Sequence, residues 1–217
     1  MEQIAMSLTL ILSAIGTFIV TNVDDIFVLM IFFAQIEKAR HTQVVLGQYL
    51  GFGLLVVLSL LGAFGFTFLP PEWAGFLGLI PIYLGIRMFF KKEEEDEAEE
   101  ALEKLGNLKS QPSNNRLFGP LTGKVAAITF ANGGDNLGIY IPYFTTQGNA
   151  SLLSIAIVFL LMVAVWCFLA YRLASFPSIL KILEKYGSVI VPLVFIALGI
   201  SIMLHGDSFA YLIRLFG

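Results

Sequence analysis

Six long apolar stretches, separated mostly by short polar turns, dominate the pattern of hydrophobic and polar positions along the chain. Each stretch is close to the roughly 20 residues that an α-helix needs to cross the hydrocarbon core of a bilayer. The pattern therefore predicts six transmembrane helices, numbered here as spans one to six: residues 7–34, 43–68, 73–90, 122–146, 151–170 and 188–206. An acidic, turn-rich segment over 91–119 is predicted to be a linker between three spans in 1–90 and three in 120–217.

The composition supports an all-α integral membrane protein and excludes several classes of function. Only 13% of the residues are charged, whereas a soluble domain carries about 25%. A single cysteine, Cys167, excludes a disulfide framework or a Cys-based metal site within one chain. Glu2 and the lack of a basic start predict that the N-terminal stretch is not a cleaved signal peptide. With no phosphate loop, Ser/His/Asp set or nucleic-acid-binding patch, we expect no enzyme, no bound cofactor and no nucleic-acid partner.

The positive charges predict an orientation in the bilayer. Of the thirteen Lys and Arg residues, all but Arg214 fall in or beside the polar segments that follow spans one, three and five. Cytoplasmic loops carry the excess of Lys and Arg in membrane proteins. The long acidic linker is therefore expected in the cytoplasm, and both termini are expected outside.

The two halves share a motif, which indicates an internal repeat. An Asn–x–x–Asp pattern in span one recurs 110 residues later in span four, as Asn22 with Asp25 and then Asn132 with Asp135. Three spans per half is an odd number, so the two repeats must have opposite topology. Inverted repeats with interrupted helices in corresponding positions, here spans one and four, are typical of secondary transporters.

Three carboxylates lie inside apolar spans, where charge is costly: Asp24, Asp25 and Asp135. Each costs roughly 2.5–3.5 kcal/mol at the bilayer centre if it faces lipid, so we expect all three to face a protein interior or water. Flanking charges place Asp25 and Asp135 roughly 16–18 Å from the cytoplasmic surface, near the middle of the bilayer. No Lys or Arg is predicted at that depth, which leaves protons or a bound cation to neutralise them. A functional cation site and a purely structural polar cluster are the two interpretations.

The residues around these carboxylates suit a cation. Asn22, Asn132 and Asn136 offer amide oxygens, and Gly133 and Gly134 weaken the helix so that backbone carbonyls become available. Asp24 and Asp25 differ by about 100° on a regular helix, so both cannot point squarely at one ion. Asp25 is the better candidate ligand because the second motif repeats it.

Hydroxyl side chains extend from Asp25 toward the predicted outer side of span one. Ser13, Thr17 and Thr21 precede it at intervals of four residues, which places all of them on one helix face. They could line a wetted ion path, or they could be the small polar residues that commonly pack membrane helices. The sequence does not choose between the two.

Three segments resemble a known family: TNVDDIFVLMIFFAQ, GQYLGFGLL and FANGGDNLGIYIPYF. They resemble the bacterial cadmium-resistance transporters of the CadD type, within the lysine-exporter superfamily, over nearly the whole chain. The resemblance implies two inverted three-helix repeats in a bacterial inner membrane, and export of Cd²⁺ or a related divalent cation from the cytoplasm. It also implies a metal site made of Asn22, Asp24, Asp25, Asn132, Asp135 and Asn136.

Other functions stay open at this stage. Members of the superfamily export amino acids or other divalent ions, and a membrane protein that binds metal without transporting it would need the same buried acids. An amino-acid carboxylate would prefer basic groups and helix N-termini, which disfavours that substrate. The expected partners are the cation and the lipid bilayer, and a homo-oligomer is compatible with the sequence.

Overall fold

Eight α-helices make up the regular secondary structure of the described residues. The computed structural model describes residues 2–66, 75–90, 118–175 and 177–205, and these ranges contain no β-strand. A 3₁₀ turn, Lys38–Arg40, precedes the third helix. In chain order the helices are α1 Glu2–Thr21, α2 Val23–Gln35, α3 His41–Phe66, α4 Leu79–Phe90, α5 Pro120–Asn132, α6 Leu137–Thr145, α7 Asn149–Leu173 and α8 Pro177–His205. The helical class is confirmed, and the predicted linker falls almost wholly outside these ranges.

Two described helices are long and apolar enough to cross a bilayer by themselves: Lys38–Phe66 and Ala150–Leu173, which correspond to spans two and five. The pair α1 and α2 meets the same criterion as one span bent by 62°, which gives up to three spans by length and composition. Two further apolar helices, Leu79–Phe89 and Val189–Leu204, are shorter. The six-span arrangement therefore stays a prediction.

Residue Asn22 separates α1 from α2 and has a non-helical backbone, with φ −121° and ψ 20°. The side chains around it bond to the last turn of α1. The Thr21 hydroxyl donates to the Thr17 carbonyl at 2.9 Å, and Asn22 Nδ2 donates to the Phe18 carbonyl at 2.8 Å. Local side-chain bonds of this kind compete with the regular backbone pattern and favour the end of a helix. The last turn of α1 is therefore held by its own side chains at the point where the chain bends.

A second break lies between α5 and α6, at the second motif. Asn136 N donates to the Gly133 carbonyl at 3.1 Å and to Asp135 Oδ1 at 3.0 Å, so these residues form a local turn. Two consecutive glycines disfavour a continuous helix there, and Pro142, which has no backbone N–H, lies within the short α6. The structure thus has a helix break at each motif.

Glycines on α3 allow α5 and α6 to lie against it. A Cβ added at Gly51 would lie 2.5 Å from the Ala126 carbonyl oxygen, and one added at Gly47 would lie 2.8 Å from the Thr122 carbonyl oxygen. Farther along, α3 meets α6, where a Cβ at Gly62 would contact the Ile141 side chain. These contacts advance in the same direction on both partners. Helices α5 and α6 therefore follow α3 in parallel as one interrupted helix.

Helices α4 and α8 form a second close pair, in the antiparallel sense. A Cβ added at Gly78 would meet the Gly199 carbonyl, and one added at Gly199 would meet the Gly78 carbonyl. About two turns away, a Cβ at Gly85 would lie 2.6 Å from the Pro192 carbonyl oxygen. The close contact between Gly78 and Gly199 is therefore reciprocal.

Apolar side chains cover the outer faces of α3 and α7. A soluble protein rarely exposes contiguous apolar surface of this kind, whereas a lipid-facing surface requires it. The exposed side chains include Leu50, Leu54, Val57, Leu61 and Phe64 on α3, and Leu153, Ile157, Leu161 and Phe168 on α7.

Candidate functional site

The Asp25 carboxylate is buried in the first turn of α2, directly after the first helix break. Its side chain is only 6% exposed. Gln48 Nε2 on α3 donates to Asp25 Oδ2, and Thr129 Oγ1 on α5 donates to Gln48 Oε1 at 2.6 Å. The N-terminus of a helix also carries partial positive charge that favours an anion. One buried carboxylate is thus connected through a single amide to the helix that precedes the second break.

Asn22 links the first break to α6 and α7. Its Nδ2 donates to the Tyr140 hydroxyl at 2.8 Å, and its backbone carbonyl accepts from Trp166 Nε1 at 2.6 Å. Phe18, one turn earlier, packs edge-on against Trp166 at 5.4 Å between ring centroids. These contacts hold the break among buried aromatic side chains.

Asn136, at the second break, has a buried side-chain oxygen without a hydrogen-bond partner among the described residues. The residue is only 4% exposed. A buried acceptor without a partner costs roughly 1–3 kcal/mol, so this oxygen is suited to a water molecule or a cation. Gly133 lets this turn lie against α3, because an added Cβ there would meet the Leu55 side chain.

The structure gives the other predicted site residues different surroundings. Asp24 and Asn132 are half-buried, and Asp135 is exposed on the surface of the second break. Asp24 and Asp25 both lie near enough to Tyr140 to interact with it electrostatically. The three carboxylates therefore lie at the two breaks, as the sequence predicts, but only Asp25 is fully enclosed.

Among the described residues, no group of three or more His, Cys, Asp and Glu side chains could hold a metal ion by itself. A cation at the breaks would therefore need amide, hydroxyl or carbonyl oxygens beside a carboxylate. Such an oxygen-rich donor set is the one that hard divalent cations prefer.

A comparison with protein-family models decides the family. The model described as "Cadmium resistance transporter" matches residues 18–215, which include both motifs and helices α2 to α8. The chain belongs to the cadmium resistance transporter family. The resemblance noted in the sequence is thereby confirmed. This is a family of transporters rather than of enzymes, and together with the apolar helices it indicates a multi-pass membrane protein. Neither the curated proteins nor the solved structures that were compared contain a match.

In this cadmium resistance transporter family member, two tyrosines of α6 lie against the hydroxyl residues that precede Asp25 on α1, which are Ser13, Thr17 and Thr21. Thr21 Oγ1 shares a hydrogen bond with the Tyr140 hydroxyl at 2.7 Å, and Ser13 Oγ shares one with the Tyr143 hydroxyl at 3.1 Å. Thr17 lies close enough to the Tyr143 hydroxyl to interact with it. In this structure the Ser13 and Thr21 hydroxyls therefore bond to side chains of the second half.

Sequence reasoning missed several residues that surround the site: Gln48, Thr129, Tyr140, Tyr143 and Trp166. The sequence pattern did not single out these residues, because each residue type is also compatible with ordinary helix packing. A buried Gln in an apolar span is itself unusual, however, and the spacing of Tyr140 and Tyr143 places both on one face of α6. A search for every polar residue within the spans, rather than for carboxylates alone, would have selected Gln48 and Thr129.

Proposed function

We propose that this family member is a secondary transporter that exports Cd²⁺, or a related divalent cation, from the cytoplasm through a site at the two helix breaks. The observation that carries the proposal is Asp25, a carboxylate enclosed in an apolar helix bundle. Among the described residues, the buried ones include no Lys or Arg, and Arg40, which has two enclosed guanidinium nitrogens, lies beyond the end of α2 rather than at the break. The α2 N-terminus offsets part of the charge, and a bound cation would offset the rest.

Most of the ligands would be oxygens, and they would come from both halves of the chain. Asp25 and Asp24 would supply carboxylate oxygens from the first break, with the Asn22 amide beside them. The unpartnered Asn136 oxygen would join them from the second break, with Asn132 close by. Asp135 is exposed, and a carboxylate facing lipid would cost roughly 2.5–3.5 kcal/mol. We therefore place it on a water-filled cleft, close enough to the site for its charge both to attract the incoming ion and to strengthen its binding.

The directions of the packed helices support six alternating spans in two inverted repeats, 1–90 and 120–217, joined by the cytoplasmic linker 91–119. Helix α3 runs parallel to α5 and α6, as spans two and four should, and α4 runs antiparallel to α8, as spans three and six should. The bonds of Ser13 to Tyr143 and of Asn22 to Tyr140 make α1 antiparallel to α6. With both termini outside a bacterial inner membrane, these contacts between α1 and α6 would close the outer side. Export would require these helices to part.

Flux of Cd²⁺ in proteoliposomes tests the proposal. We expect the wild-type protein to move Cd²⁺ across the membrane. The Asp25→Asn variant, reconstituted at equal density, should give no more Cd²⁺ flux than protein-free vesicles. Repeating the assay with and without a pH gradient tests whether protons on Asp24, Asp25 or Asp135 couple the flux, and identical rates would reject that coupling. Cd²⁺ binding without any flux would instead identify a membrane protein that binds metal but does not transport it.

A substitution at Cys167 tests what sets the preference of the site for Cd²⁺ over harder cations. This buried residue on α7 lies close enough to Asp25 for the two groups to interact electrostatically. Soft thiol ligands favour Cd²⁺ over hard cations such as Ca²⁺ and Mn²⁺. We expect Cys167→Ser, a change of similar size, to weaken Cd²⁺ binding severalfold while leaving Mn²⁺ and Ca²⁺ binding unchanged. Equal effects on all three ions in parallel titrations would show that the thiol does not set the preference.

A further inference from the structure

We infer that Gln48 is a positioning residue for the proposed cation site, because its amide holds the Asp25 carboxylate at one end and the Thr129 hydroxyl of α5 at the other. This inference rests on the proposed function and deepens it. It assigns a role to a residue on α3, outside both motifs. It also connects the carboxylate of the first half to the helix that leads into the second break.

The chemistry of the three groups fixes the direction of this hydrogen-bonded chain. An ionised carboxylate can only accept, so the amide must present Nε2 to Asp25. The amide oxygen then faces Thr129, whose hydroxyl must donate to it. With both ends held, the Gln48 side chain has little rotational freedom, and it fixes one carboxylate oxygen in a buried position.

Close helix packing makes this arrangement possible. Gln48 is 2% exposed, and Thr129 is equally enclosed on the facing side of α5. One turn after Gln48, a Cβ added at Gly51 would lie 2.7 Å from Thr129 Cβ. The absence of a side chain at Gly51 thus lets α5 approach until the Thr129 hydroxyl reaches the amide. A displacement of α5 against α3 would therefore act directly on the Asp25 carboxylate.

A role in general packing alone predicts a different behaviour. Ser59 is also a buried polar residue of α3, and its hydroxyl donates to the Leu55 carbonyl of the same helix. It provides a matched control for removing a buried hydrogen bond from α3. If Gln48 served only the stability of the helix bundle, its removal would resemble the removal of the Ser59 hydroxyl.

The test is a Cd²⁺ titration of the purified full-length protein, with thermal unfolding measured on the same samples. The variants are Gln48→Met, which keeps size and removes both bonds, Thr129→Val, their double variant, and Ser59→Ala. We expect Gln48→Met to weaken Cd²⁺ binding about tenfold, since hydrogen bonds to charged groups are the stronger ones. Thr129→Val should weaken it about threefold, and the double variant should resemble Gln48→Met, because Thr129 acts through Gln48. Ser59→Ala should bind as the wild type does.

The outcomes separate this inference from the proposed function. If the wild type binds Cd²⁺ and Asp25→Asn does not, while Gln48→Met and Thr129→Val bind as Ser59→Ala does, the positioning role is overturned and the function stands. If the wild type binds no Cd²⁺, both are overturned. Should Gln48→Met fail to fold, Thr129→Val decides the matter. Cd²⁺ binding by Thr129→Val equal to that by Ser59→Ala would overturn the inference.

Discussion

Replacing Asp25 with Asn is expected to weaken Cd²⁺ binding at least tenfold and to leave the protein folded. The substitution keeps the shape of the side chain but removes its charge, and charge is what draws a divalent cation into an apolar bundle. The amide oxygen introduced by Asp25→Asn can still accept from Gln48, so the hydrogen bond between α2 and α3 is preserved. Binding is measured by titration of the purified protein, and folding by its thermal midpoint.

Substitutions of the other two carboxylates test the rest of the site. Asp24→Asn removes the same charge from a half-buried position about 100° away on the helix, and we expect a smaller loss of affinity. Asp135→Asn tests the exposed carboxylate of the second motif and should also weaken binding, by at least tenfold. Unchanged affinity in both Asp25→Asn and Asp135→Asn would reject the site assignment.

The largest effect on stability is expected from Gly51→Ala. The new Cβ would lie 2.5 Å from the Ala126 carbonyl oxygen and 2.7 Å from Thr129 Cβ, so α5 must move away from α3. Overpacking of this kind typically costs roughly 1–3 kcal/mol, although alanine's better helix propensity offsets up to about 1 kcal/mol. We expect a lower thermal midpoint and, because Thr129 is displaced from Gln48, weaker Cd²⁺ binding.

Gly53→Ala is the matched control, two residues along the same helix. A Cβ there would meet nothing within 4 Å, so the substitution should be neutral or slightly stabilising. If both variants unfold at the same temperature, the close packing of α3 on α5 does not contribute to stability as the structure indicates.

Much of the architecture could be predicted because it depends on local sequence. The bilayer sets a length of about 20 apolar residues for a spanning helix, so hydropathy located spans two and five directly. Span one is longer than the bilayer requires, and it bends at Asn22, where side chains compete with the backbone for hydrogen bonds. Gly133, Gly134 and Pro142 indicated the second break for similarly local reasons. The motifs also sufficed to indicate the family, which the family model confirms.

The candidate site was predicted only in part. Its residues lie at the two breaks, but equal depth did not mean equal surroundings, since Asp25 is buried and Asp135 is exposed. Burial depends on which helices cover a position, and hydropathy along one helix does not contain that information. The sequence also did not indicate the partial positive charge at the N-terminus of α2. That charge lies beside Asp25 only because the helix breaks at Asn22.

The sequence by itself determined the class of protein, the family and the positions of the two helix breaks, since solvent preference and backbone propensity act over a few neighbouring residues. Only the tertiary structure decided which carboxylate is enclosed and what holds it. The bonds from Gln48 to Asp25 and Thr129, and from Asn22 to Tyr140, join residues 23 to 118 positions apart. The pair of Gln48 and Thr129 forms because Gly51 lets α5 approach α3 closely, and that approach is a property of the packed bundle rather than of any one segment.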